Sequence, residues 1–117
     1  MGSTFPCPEC SGELAVIAGI CNLHVTGDDR IVNLLQCVSC SRWFLSEWVD
    51  AWLSTYVDVV ERDLGPLADK DAQDLLKEMN ECPEPYSKWC RCPAHGTAEG
   101  LISRLPVRNS RSEQRDV

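Results

Sequence analysis

The chain has 117 residues, eight of them cysteine, and a net charge of −7. A chain of this length makes one small domain, near the size at which a hydrophobic core alone is marginal. No run reaches the roughly 18 apolar residues that cross a bilayer, and Met1 to Phe5 carries neither the basic nor the apolar part of an export leader.

A cytoplasmic protein without membrane contact is therefore expected, and in that reducing compartment paired cysteines point to metal in place of disulfides. The first pair is Cys7-Pro8-Glu9-Cys10, followed by a Ser11-Gly12 turn. From Ile20 to Val25 the pattern alternates, with Cys21, Leu23 and Val25 on one face and Asn22 and His24 on the other. A polar cluster, Thr26-Gly27-Asp28-Asp29-Arg30, turns the chain before an apolar, β-branched run from Ile31 to Leu35. The second pair, Cys37-Val38-Ser39-Cys40, closes that run. A β-hairpin would bring the two pairs together, and four thiolates would then surround one ion. A lone hairpin is marginal in water, so the ion would supply much of its stability.

Cys-Pro-x-Cys, a hairpin and a second Cys-x-x-Cys resemble the zinc-ribbon class over residues 5 to 46. The resemblance implies a closed, structural zinc site made by Cys7, Cys10, Cys37 and Cys40. It says almost nothing of function, since that class serves in transcription, translation and many adaptor proteins. Ser11 and Ser41 stand where the commonest knuckle form carries Gly. Iron in a rubredoxin-like site uses similar donors; zinc is the better match because no redox partner or cofactor motif accompanies them.

Beyond the hairpin, Ser46 offers an N-cap and a helix is expected from Glu47 to Leu64, with Trp48, Trp52, Tyr56 and Val60 recurring every four residues. Gly65-Pro66 would stop it. A second amphipathic helix is expected from Asp69 to Asn80, where Ala72, Leu75, Leu76 and Met79 share a side. The apolar face of this pair reads as core in preference to a partner groove. From Arg104 onward polar and charged residues dominate, and a disordered tail is expected.

Cys82, Cys90, Cys92 and His95, spaced Cys-x7-Cys-x-Cys-x2-His, offer a second complete tetrahedral shell, with Pro83, Pro85 and Pro93 to pre-bend the loop. Cys90 and Cys92 could instead act as a local redox pair, although no helix N-terminus is evident there to activate a thiol. Cys21 and His24 do not make a site, because residues three apart on a strand face opposite ways. Cys21 reads as a small core residue and His24 as a surface one.

Enzyme signatures fail. Pro6-Cys7-Pro8-Glu9-Cys10 matches half of the zinc deaminase motif, but that chemistry needs an upstream His-x-Glu, and neither histidine begins one. There is no Gly-rich phosphate loop, no Gly-x-Ser-x-Gly and no His-Glu-x-x-His. Charge is uneven: Ser46 to Glu84 holds eleven acidic and three basic residues, a balance of −8, whereas residues 85 to 117 hold six basic and three acidic, a balance of +3. The acidic middle repels phosphate backbones.

The expected fold is α+β, one compact domain with a zinc-ribbon-like hairpin over 1–46, a helical pair over 47–81, a second Cys/His metal loop over 82–96 and a mostly disordered tail over 97–117. The expected function is that of a zinc-binding, non-catalytic adaptor or regulatory protein, carrying two ions and meeting a protein partner. The alternative is nucleic-acid binding, transcription-related, through Arg91, Arg104, Arg108, Arg111 and Arg115. A zinc-thiolate redox sensor is a second alternative.

Overall fold

The computed structural model describes residues 5–23, 29–50 and 59–113. Among them the chain forms β1 (Leu14–Leu23), β2 (Asp29–Cys37), β3 (Trp43–Asp50), β4 (Val59–Leu67), α1 (Asp69–Glu81), α2 (Pro93–Arg104) and β5 (Val107–Glu113). The strands make one antiparallel sheet in the order β1-β2-β3-β4-β5, with both helices inserted between β4 and β5. No helix of the described residues is long and apolar enough to cross a membrane.

This overturns the expected fold of a hairpin followed by two helices. The segment read as a helix from Glu47 to Leu64 holds the second half of β3 and the greater part of β4, two strands paired from Trp43↔Leu67 to Asp50↔Val59. The misreading has a physical cause. A spacing of four is a multiple of the two-residue strand period and also close to one helical turn, so Trp48, Trp52, Tyr56 and Val60 satisfy both patterns. Tryptophan, tyrosine and valine favour strands, which breaks the tie. Trp52 and Tyr56 themselves lie outside the described residues.

Gly65-Pro66, read as a helix stop, lies inside β4. Gly65 takes a φ of 138°, and a Cβ there would come within 3.0 Å of Phe44 Cδ1 and 3.3 Å of Phe44 Cα. Only glycine meets both demands. The tail expected from 97 onward is also corrected. Residues 97–104 belong to α2, and β5 pairs with β4 from Val59↔Glu113 to Leu64↔Val107.

The helix expected over 69–80 is α1, with Asp69 and Asp71 in its first turn, where the helix dipole favours negative charge. Helix α2 starts on Cys92 as N-cap, with Pro93 next. Its sequence signal is weak because Gly96 and Gly100 lower helix propensity and two of its four buried side chains are alanine.

Both helices cover one face of the sheet. Ile20, Val32, Leu34, Trp43, Leu45 and Leu67 pack there with Ala72, Leu75, Met79, Ala94, Ala98 and Leu101. Trp43 also donates its indole N–H to Asp69 Oδ1 at 3.2 Å, tying β3 to the start of α1. Leu35 and Phe44, one residue out of phase with Leu34 and Leu45, turn to the opposite face and pack with Leu14, Cys7 and Cys37. The expected alternation in β1 holds only in part: Cys21 is buried, as expected, but Asn22 is buried too and Leu23 is 41% exposed. Asn22 is in phase with Ile20, and a register shift between Val16 and Ala18 puts both on the helix-covered face, opposite the face that Leu14 shares with Phe44.

Candidate metal centres

The first cluster forms because β1 and β2 pair with Leu14 opposite Cys37, which sets the two cysteine pairs side by side at one end of the hairpin. The two knuckles have the same backbone geometry. Ser11 N–H donates to the Cys7 carbonyl at 2.8 Å, and Ser41 N–H to the Cys37 carbonyl at 3.0 Å. Cys7 N–H donates to the Gly12 carbonyl at 2.8 Å, and Cys37 N–H to the Arg42 carbonyl at 2.9 Å. Ser11 and Ser41 reach this geometry at φ of 65° and 64°, the left-handed region that glycine usually supplies.

Each knuckle then aims backbone donors at a sulfur. Glu9 N–H lies 3.4 Å from Cys7 Sγ, and Ser39 and Cys40 N–H each lie 3.4 Å from Cys37 Sγ. Such donors favour thiolate over thiol. The Cys40 N–H, with Ser39 assisting, holds the Cys37 thiol down at about 6 against the opposing effect of burial. Burial pushes the Cys7 thiol up.

Cys7 Sγ is 3.8 Å from Cys40 Sγ, Cys10 Sγ is 3.4 Å from Cys37 Sγ, and all four sulfurs lie within 4.8 Å of one another. A disulfide would need about 2.05 Å. Four thiolates about 2.3 Å from a zinc ion stand about 3.8 Å apart, so the spacing suits one shared ion.

The second cluster joins three elements. Cys82 is the C-cap of α1, Cys92 is the N-cap of α2, and His95 sits in the first turn of α2. Cys90 comes from the intervening loop, which Cys21 N–H stitches to β1 by a 2.6 Å bond to the Pro85 carbonyl. Cys82 Sγ is 3.8 Å from Cys90 Sγ and 3.4 Å from His95 Nε2, and all four donors lie within 4.8 Å. A sulfur and an imidazole nitrogen on one zinc stand about 3.6 Å apart, which again fits. Burial, then the neighbouring Cys92 thiol, pushes Cys82 up to about 12. The Cys92 backbone N–H holds Cys90 below the ordinary thiol range. A helix N-terminus, not evident from the sequence, does stand at this cluster, with its positive dipole end on the side of Cys92.

The chain matches no protein-family model, no curated protein and no solved structure. The structure brings together each of the two donor sets read from the sequence, Cys7, Cys10, Cys37 and Cys40 in one and Cys82, Cys90, Cys92 and His95 in the other. Cys21 is buried and belongs to neither, while His24 lies outside the described residues. Both sets fit a zinc-like ion by donor chemistry, and each offers four donor atoms, the number that a closed tetrahedron takes.

Sequence reasoning did not single out the residues around the donors. Glu9, inside the first knuckle, meets Arg108 of β5 at 2.6 Å and Arg42 of the second knuckle at 3.7 Å. The Arg108 guanidinium holds the Glu9 carboxyl below its usual range. At the second cluster Asn22 Oδ1 lies 2.7 Å from His95 Nδ1. A buried amide on the core-facing side of an apolar strand was the available signal, hidden because the register shift reverses which side is core.

Proposed function

We propose that this chain is a small zinc-binding protein whose two centres are structural and whose role is that of a non-catalytic adaptor or regulator in the cytoplasm. The observation that carries the zinc reading is the pair of clusters in which four donors lie within 4.8 Å of one another. Thiolate and imidazole donors suit zinc and disfavour hard cations. Four protein ligands leave no open position for water or substrate, which supports a structural role.

The adaptor reading draws support from Tyr86 and Trp89, which are 74% and 67% exposed on the loop between Cys82 and Cys90. Tyrosine and tryptophan are favoured anchors at protein interfaces, and here a metal centre would hold them on a short tether. The nucleic-acid alternative loses ground because three of its five arginines face carboxylates: Arg104 with Asp71 at 3.5 Å, Arg108 with Glu9 at 2.6 Å and Arg111 with Glu61 at 4.0 Å.

Native mass spectrometry of the freshly purified full chain tests the zinc reading. Two zinc equivalents are expected, with one lost in Cys37→Ser and the other in Cys90→Ser. A single ion that Cys90→Ser leaves in place removes the second centre. The adaptor role is tested with a Tyr86→Ala/Trp89→Ala double variant that retains both ions. It should lose the protein that the unmodified chain captures from cytosol. Retention of RNA or DNA that weakens steeply with salt would put nucleic-acid binding in the adaptor's place.

A further inference from the structure

Asn22 is an amide on an apolar face. It lies in β1 in phase with Ala18 and Ile20, opposite Arg30 of β2, and is 3% exposed. Its Nδ2 donates to the His95 carbonyl at 3.1 Å and to Glu99 Oε1 at 2.9 Å. Two oxygen acceptors at one end of the amide settle its orientation, so the other end, 2.7 Å from His95 Nδ1, is the oxygen. An amide oxygen only accepts. His95 Nδ1 must therefore carry the proton, which leaves the lone pair of the neutral ring on Nε2, the atom 3.4 Å from Cys82 Sγ.

The support continues outward. Glu99 ion-pairs with Arg30, and Arg30 reaches Glu47 Oε2 at 3.1 Å. Glu47 accepts a further bond from Arg62 Nε at 2.8 Å. A line of paired polar groups, with Asn22 and Glu47 buried and Glu99 partly exposed, thus runs from the second donor cluster, through β1 and α2, into the middle of the sheet.

We propose that Asn22 is the positioning residue of the second metal centre, locking His95 as an Nε2 ligand, with Glu99 and Arg30 holding the Asn22 amide in place. The proposal rests on the zinc reading of that cluster. Outer partners of this kind orient the ring and set ligand basicity, and their loss weakens metal binding by about 10- to 100-fold. A merely structural Asn22, satisfying the buried His95 carbonyl, would leave both the choice of ring nitrogen and the metal affinity unmoved.

The test uses the zinc-loaded full chain. The sequence has two histidines, so His24→Gln leaves a single imidazole to observe by long-range ¹H–¹⁵N NMR. The expected spectrum shows Nδ1 protonated and Nε2 metal-bound. In chelator competition, Asn22→Ala should lower zinc affinity at the second centre by about 10- to 100-fold and leave the first unchanged. Glu99→Gln should give a smaller loss at the same centre. A ring bound through Nδ1, or unchanged affinity in Asn22→Ala, overturns the role of Asn22 while the two-zinc reading stands. A ring with no metal on either nitrogen, together with a zinc count indifferent to Cys90→Ser, overturns both. The spectroscopic arm keeps Asn22 in place and so decides the matter even where Asn22→Ala does not fold.

Discussion

Ser11 and Ser41 occupy the same place in two knuckles and share one backbone conformation, with φ of 65° and 64°. A residue with a Cβ in that region costs about 1–3 kcal/mol, partly repaid because serine loses less backbone freedom on folding than glycine. Ser11→Gly and Ser41→Gly should each therefore stabilise the zinc-loaded protein by about 0.5–1 kcal/mol, read as a higher thermal midpoint with the zinc count unchanged. Gly12→Ala is the opposite control. Its Cβ would come within 2.7 Å of Ser39 Oγ and 3.1 Å of Cys37 Sγ, so that variant should lose stability and loosen the first centre.

Glu47 is a buried carboxylate whose side chain is 4% exposed, placed between Arg30 and Arg62. Removing one member of a buried ionic set strands the charges that remain. Glu47→Ala should destabilise the protein by about 3 kcal/mol in a denaturant titration, the lower end for breaking a buried pair, because Arg30 keeps Glu99 while Arg62 loses its bonds to Glu47. A loss below about 1 kcal/mol, the range of exposed pairs, would show that water already reaches this network.

Deleting residues 107–117 removes β5, exposes the edge of β4 along the pairing from Val59 to Leu64, and breaks the Arg108–Glu9 contact at the first knuckle. The sequence alone suggests that this end is dispensable. The sheet predicts the reverse: a lower thermal midpoint and concentration-dependent aggregation through the bared edge, measured by light scattering. An unchanged midpoint would mean that β5 adds nothing to the sheet.

Burial, with the nearby Asp29 carboxylate, pushes the Cys21 thiol up from its ordinary range. A thiol raised in the folded state stays protonated at neutral pH, and folding stability is lost only as pH climbs past the unfolded value of about 8.5. Iodoacetamide should therefore modify Cys21 slowly in the zinc-loaded protein. The rate, followed by peptide mapping, should still be rising above pH 8.5. A plateau at or below about pH 8.5 would contradict the burial assigned to this residue.

The donor sets are legible in local sequence. Cys7 with Cys10, Cys37 with Cys40, and the run from Cys82 to His95 are local spacings, and backbone geometry over a few residues decides whether such side chains can converge. Helix α1 was legible for the same reason, since its apolar periodicity and flanking signals lie within one segment. The rest depends on long-range pairing and packing. A four-residue repeat from Trp48 to Val60 fits strand and helix alike, and pairing with β2 and β5 settles the choice for β3 and β4. Glycines dilute the local signal of α2, which forms where Ala94, Ala98 and Leu101 find the sheet. Asn22 meets a ring 73 residues away, and no local pattern encodes a contact over that distance. A register shift of one residue in β1 turns that amide inward, because strand side chains alternate faces and a single extra residue exchanges them.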